Sequence, residues 1–236
     1  MPDIRIGAFE RSDFPLIAVP LTDRSLSSEL NLDNADIIEM RVDMFEEHSE
    51  KHVVHTLLKA KEMFDKPLIA TIRSISEGGA VEIDDKTRKK LFKSLIKHTD
   101  AVDIEINSEI FSSTVKLARK NNKLSIGSFH DFIRTPDASE LEEAIKRGRS
   151  FKADIVKIAV MPNSMDDLQT ITDMTLKHSK DGIISIAMGE LGMASRIFLP
   201  MIGSLITFAS IDVESAPGQL SLRKMKEFLS VLKTTD

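Results

Sequence analysis

Short apolar runs recur along the chain, and each is followed by a stretch in which apolar residues return every three or four positions. The first pattern is that of a buried strand, the second that of a helix with one face on a core. The strands predicted are Leu16 to Pro20, Ile37 to Val42, Leu68 to Ile72, Val102 to Ile106, Leu124 to Phe129, Ile155 to Val160, Ile183 to Met188 and Leu205 to Phe208. Helices are expected over 23–33, 50–64, 85–98, 108–121, 137–150, 164–180, 191–201 and 220–233. Thr135-Pro-Asp-Ala-Ser-Glu140 and Asn163-Ser-Met-Asp-Asp167 set capping residues ahead of acidic first turns, as helix N-termini prefer.

Strands alternating with helices, without consecutive hairpins, imply parallel pairing through right-handed crossovers. Eight such units predict an α/β fold of the closed (β/α)8 TIM-barrel type. An open doubly wound sheet is the alternative, but the glycine-rich turn of that fold is missing after the first strand. Residues 1–236 are read as a single barrel domain. Residues 1–14 stand outside the repeat as a short N-terminal extension, with Asp3 to Ala8 expected to form a short strand or a plug at the barrel's N-terminal face.

Composition narrows the function. With 42% apolar residues over 236 positions the chain has material for a large core, and its net charge of −5 argues against a nucleic-acid partner. No apolar run is long enough to span a bilayer, and Met-Pro-Asp-Ile-Arg lacks a signal-peptide core, so a cytoplasmic protein is expected. There is no cysteine, which excludes thiol catalysis and cysteine-ligated zinc.

In a barrel the reacting groups sit at the C-terminal ends of the strands. Here Glu39, Arg41 and Asp43, then Thr71 and Arg73, then Asp103 and Glu105, then Ser128 and His130, recur at spacing two and so share one face of each strand. The sixth strand carries Lys157 inside an otherwise apolar run. A buried lysine either sheds its proton and becomes an amine nucleophile for a carbonyl, or pairs with a carboxylate such as Glu105 in a structural network. His130, one strand away, is suited to moving protons beside an imine. Arg73-Ser-Ile-Ser-Glu77-Gly78-Gly79 brings a carboxylate over the mouth. Met188-Gly189-Glu-Leu-Gly192-Met-Ala-Ser195-Arg196 offers small residues, backbone donors and Arg196 to an anion, and Ser215-Ala216-Pro217-Gly218-Gln219 follows the last strand.

His48, His52 and His55 fall at helical spacing, but no carboxylate-rich surroundings accompany them, and no metal site is assigned there. His98 and His178 read as surface helix residues. The residues alone thus give a barrel with a Schiff-base lysine, an acid–base histidine and arginines for an oxygen-rich anion. Aldolases, transaldolases and dehydratases all meet that description.

A more specific resemblance comes from six segments in order. Glu39-Met-Arg41-Val-Asp43, Arg73-x-x-x-Glu77-Gly78-Gly79, Ser128-Phe-His130-Asp-Phe132-x-x-Thr135-Pro136, Lys157-Ile-Ala-Val-Met161-Pro162, Met188-Gly189-x-x-Gly192-x-x-Ser195-Arg196 and Ser215-Ala216-Pro217-Gly218-Gln219 together resemble the motif series of type I 3-dehydroquinate dehydratases. The resemblance implies cofactor-free conversion of 3-dehydroquinate to 3-dehydroshikimate in the shikimate pathway. It implies Lys157 as the imine-forming lysine, His130 as the general base and acid, and Glu77 as the group that orients His130. It further implies Glu39 and Arg41 at the ring hydroxyls or in support of Lys157, Arg73 at a hydroxyl-bearing edge, Arg196, Ser215 and Gln219 at the substrate carboxylate, and Met188 with Met161 walling the ring. A homodimer is usual in that family. Ala209 and the bulky Ile211-Asp-Val213 depart from its pattern after the last strand. The competing readings are another class I aldolase-type barrel enzyme and a noncatalytic barrel that binds the pathway's acids.

Overall fold

The computed structural model describes residues 4–10, 13, 15–211 and 216–232. Eight strands run in the sequence β1 (Leu16–Leu21), β2 (Ile37–Arg41), β3 (Leu68–Thr71), β4 (Ala101–Glu105), β5 (Leu124–Asp131), β6 (Ile155–Val160), β7 (Ile183–Ala187) and β8 (Ile206–Phe208). All pairings are parallel, in the order β7-β6-β5-β4-β3-β2-β1-β8. The sheet closes on itself where Ile183 bridges Ser204 and Leu205 N donates to Ile183 O at 2.8 Å. This is the (β/α)8 barrel expected from the alternation.

Helices α1 (Glu50–Phe64), α2 (Asp85–Leu95), α3 (Phe111–Lys120), α4 (Ala138–Ser150) and α5 (Met165–His178) cover the outside. After β7 come a short turn of helix, α6 (Gly189–Gly192), and α7 (Ser195–Met201); α8 (Leu222–Leu232) follows β8. The caps read from sequence form: Asp137 with Glu140, and Ser164 with Asp167, make reciprocal capping boxes. Parallel strands sandwiched between helices and barrel interior are buried on both faces, which is why each is a nearly unbroken apolar run.

The expected helix over 23–33 does not form. Arg24–Ser27 make one 3-10 turn, and the rest is irregular. Side chains there take the bonds a helix would need: Ser25 Oγ accepts from Thr22 N at 3.1 Å and Asn31 Oδ1 from Asp33 N at 3.0 Å. Leu26 and Leu32 are nevertheless buried, so the apolar spacing was a packing signal without a helix behind it. The stretch 191–201 likewise divides into α6 and α7, with Ser195 Oγ donating to Gly192 O at 2.6 Å at the break.

The barrel interior is layered. Leu16, Ile37, Ile69, Ala101, Ile126, Ile155, Ile184 and Ile206 form an apolar floor with Ile4 and Ile6 of the extension. Ile6 and Phe9 exchange two backbone bonds of 3.0 Å in a tight antiparallel turn, and Ile4 packs beside Gly182, just ahead of β7. Ile4 to Phe9 therefore plug the N-terminal face, as expected of this segment, while Asp3 lies outside the described residues. One period up each strand, towards the C-terminal ends, the inward positions become Glu39, Thr71, Asp103, Ser128 and Lys157, all buried.

Candidate active site

Lys157 sits in the middle of β6, in register with Ser128 of β5. Its Nζ lies 3.1 Å from Asp103 Oδ2 and 4.0 Å from Glu39 Oε1, and 4.5 Å from the centre of the Phe208 ring. The partner is thus Asp103 rather than Glu105, two residues further along β4. Thr71 Oγ1 donates to Glu39 Oε1 at 2.7 Å, fixing that carboxylate in turn.

Arg73 links the carboxylates of β4. Its Nη2 is 2.8 Å from Asp103 Oδ1, and Nη1 reaches Glu105 Oε1 at 3.2 Å and Ser128 Oγ at 2.7 Å. Ser128 Oγ donates to Asp103 Oδ1 at 2.6 Å. Burial opposes ionisation of Asp103, but the Arg73 and Lys157 cations and the Ser128 hydroxyl outweigh it and hold the carboxyl below the usual carboxylate range.

Arg41 forks onto Asp43, with Nε to Oδ1 at 3.0 Å and Nη2 to Oδ2 at 2.7 Å. Asp43, fully buried, also accepts from the backbone N–H of Arg73 and of Ala80, at 3.2 and 3.3 Å. It ties the end of β2 to the loop after β3.

That loop delivers Glu77. Its Oε2 accepts from the His130 backbone N–H at 2.9 Å and lies 3.0 Å from His130 Nδ1. Gly78, at φ +88°, turns the chain here, and a Cβ on it would meet the Phe132 ring, which stacks on His130. Burial raises the Glu77 carboxyl to about 8, with Arg73 pulling the other way. Burial, then the Arg73 and Lys157 charges, push His130 well below its ordinary value. The ring is therefore uncharged at neutral pH, and the imidazole–carboxyl pair can carry a proton on either partner of the 3.0 Å contact.

Lys157, His130, Glu77, Glu39, Arg41 and Arg73 line one cavity at the barrel mouth. Of the eleven residues expected at the site, Glu39, Arg41, Arg73, Glu77, His130, Lys157, Met188, Arg196 and Gln219 line it. Ser215 lies outside the described residues. Met161 does not line it but packs under Gly189, where its sulfur would crowd any Cβ. The expected anion cradle of backbone donors after β7 is altered: Gly189 N donates to Pro217 O at 3.1 Å, and so does Arg196 Nη2 at 2.8 Å, so this segment ties down the loop after β8. Ala209 is accommodated in the wall, donating its N–H to Ala18 O at 3.0 Å.

Asp103, Phe208 and Phe132 are neighbours of the reacting groups that site assignment from sequence passed over. Asp103 carried a usable signal, its in-phase position on β4, whereas the two rings read only as core or loop.

Of the other histidines, His52 and His178 pair with carboxylates. His52 Nε2 is 2.9 Å from Asp23 Oδ2, and His55 is exposed. Among the described residues no three His, Asp or Glu side chains converge as metal ligands. His178 is not a free surface residue: its Nε2 is 2.9 Å from Glu142 Oε2, joining α5 to α4.

The family model for type I 3-dehydroquinase matches residues 17–236. The chain belongs to that family. It is 41% identical over 222 residues to the 3-dehydroquinate dehydratase of Thermodesulfovibrio yellowstonii, covering 93% of this chain and 96% of the relative. To the Bacillus subtilis 3-dehydroquinate dehydratase it is 34% identical, covering 92% of each. Among solved structures, the type I 3-dehydroquinate dehydratase of Clostridium difficile with covalently modified comenic acid superposes with a TM-score of 0.89 at 31% identity, covering 98% of this chain and 97% of that one. The Geobacillus kaustophilus 3-dehydroquinate dehydratase superposes at 0.90 with 26% identity, covering 99% and 97%.

Proposed function

We propose that this chain dehydrates 3-dehydroquinate to 3-dehydroshikimate and water in the shikimate pathway, with Lys157 as the covalent nucleophile. The observation that carries the reading is the placing of Lys157 Nζ in a closed-floored cavity also lined by His130, Glu77 and three arginines.

Lys157 first gives its ammonium proton to solvent; the free amine attacks the ketone carbon, and a returned proton carries off the carbinolamine hydroxyl as water, leaving a protonated imine. The imine draws electrons from the neighbouring C–H more strongly than a ketone does. His130, uncharged and backed by Glu77, takes that proton; the electron pair moves into the C–N system to give an enamine. The enamine pushes out the C1 hydroxyl, which leaves as water with the proton His130 returns on the same face. Hydrolysis of the remaining imine frees the product and restores the lysine. Asp103 orients the amine, and Glu39, Arg41 and Arg73 meet the ring hydroxyls. Arg196 and Gln219, with Ser215, take the carboxylate, for which a planar guanidinium is well matched. Met188 walls the ring.

The whole of residues 1–236 is proposed to act as one barrel domain, as a cytoplasmic homodimer like its family. No helix among the described residues is long and apolar enough to cross a membrane. The test is turnover: purified protein mixed with 3-dehydroquinate should produce the ultraviolet absorbance of a conjugated unsaturated acid. Folded protein that leaves the substrate intact, or that cleaves a carbon–carbon bond instead, contradicts the proposal.

A further inference from the structure

The ion pairs around Lys157 continue outward through the barrel wall to Arg88. This residue belongs to α2, in the layer outside the sheet, yet it is only 2% exposed. Its Nη2 pairs with Glu105 Oε2. Nε and Nη2 both donate to Ile72 O, at 3.2 and 2.8 Å, and Nη1 reaches Asp85 Oδ1 at 3.0 Å and Ser108 Oγ at 3.4 Å.

Two of those contacts bear on Arg73. Ile72 O is the carbonyl immediately before it, so Arg88 grips the backbone from which the Arg73 side chain departs. Glu105 grips the rest: Oε1 accepts from Arg73 Nη1 at 3.2 Å and from the N–H of Ser74, the next residue, at 2.8 Å. Charges then alternate along one connected line, Arg88, Glu105, Arg73, Asp103, Lys157, with a bond or ion pair at every step. None of these five residues is more than 5% exposed.

We propose that Arg88 is a positioning residue for the reaction: from outside the barrel it fixes Glu105 and the Ile72 carbonyl, and thereby the placement of Arg73 and, through Asp103, of the Lys157 amine. The inference rests on the functional reading above. If Arg88 is removed, Glu105 Oε2 is left as a buried oxygen without its cation, and Arg73, already bonded to the other oxygen, is drawn towards it. That movement takes Arg73 away from Asp103 and Ser128, the contacts that hold the lysine's partner in place. A lysine in place of Arg88 keeps a charge but cannot serve a carboxylate and a carbonyl at once from one planar fork.

The experiment uses the full chain with Arg88→Met and Arg88→Lys, each alone and combined with Arg73→Lys, followed by thermal melting and by kcat and KM for 3-dehydroquinate. Both single variants should lose more than twofold in kcat/KM, with Arg88→Met at tenfold or more, whatever their change in melting temperature. On the Arg73→Lys background the further loss should shrink to less than twofold, because the effect runs through Arg73. Should Arg88→Met fail to fold, Arg88→Lys alone decides. Folded variants whose kcat and KM stay within twofold of the parent, or whose loss is as large without Arg73 as with it, leave Arg88 a purely structural ion pair and overturn the inference. An inactive parent protein overturns the functional reading and this inference with it; an active parent with unaffected variants overturns the inference alone.

Discussion

Lys157 and His130 divide the chemistry between bond formation and proton transfer, so their removal should fail in different ways. In Lys157→Met, Asp103 keeps its bonds from Arg73 and Ser128, and the barrel should fold while turnover disappears. In His130→Ala the amine and its partners remain, so imine should still accumulate while turnover falls by about 10²–10⁴, the usual span for a general acid–base group. Rapid quenching with borohydride separates the two: trapped adduct in the second variant, none in the first. The acid limb of kcat/KM also has a sign. A base whose pKa lies well below the ordinary histidine value stays unprotonated as pH falls through 6.5, so activity should persist to lower pH than an unperturbed histidine allows. Any inflection near pH 8 belongs to Glu77 and should vanish in Glu77→Gln. Much of this site was readable from sequence because the strand period puts Glu39 with Arg41 and Ser128 with His130 on the inner face. The pairing of Lys157 with Asp103 was not readable, since the two meet across β5 only once the barrel has closed. Arg88 was hidden for a different reason: on α2 it reads as one more polar position among lysines.

At the scale of elements, the loop after β3 and the charged layer of β4 have separable effects. Gly78→Ala puts a side chain at φ +88° and into Phe132; a left-handed conformation alone costs a non-glycine residue about 1–2 kcal/mol. The expected result is a destabilised loop, with kcat/KM falling more than the melting temperature suggests, because Glu77 and the His130 stack depend on it. Asp103 has a folded-state pKa held below its unfolded value. Its contribution to stability is therefore complete above about pH 3.9 and is lost as pH falls below that towards the folded pKa. Urea unfolding should find Asp103→Asn destabilised by roughly 3 kcal/mol at pH 7, with the gap narrowing as the parent is titrated below pH 4. A gap that widened in acid would reverse the assigned sign. The strands were legible as elements because burial on both faces demands continuous apolar runs. The segment after β1 was not, because spacing of Leu26, Leu30 and Leu32 does not reveal that neighbouring serine and asparagine side chains claim the backbone donors.

For the molecule as a whole, the fold separates stability from chemistry along the barrel axis, with an apolar floor closed by Ile4 and Ile6 and a charged upper layer open to the cavity. Loss of residues 1–10 should lower the melting temperature while sparing Lys157 and its partners, all of which lie on the strands. Light scattering on the purified chain should give the mass of two copies; a monomer that turns over substrate would remove the dimer from the account without touching the site. Everything in the chemistry follows from a covalent bond between Lys157 and 3-dehydroquinate. That bond can be trapped by mixing the protein with this substrate and borohydride, then locating any added mass by peptide mass spectrometry. One substrate-derived adduct per chain is expected, confined to Lys157 and absent in Lys157→Met; folded protein with no adduct, or with the adduct on another lysine, rules out Lys157 as the nucleophile.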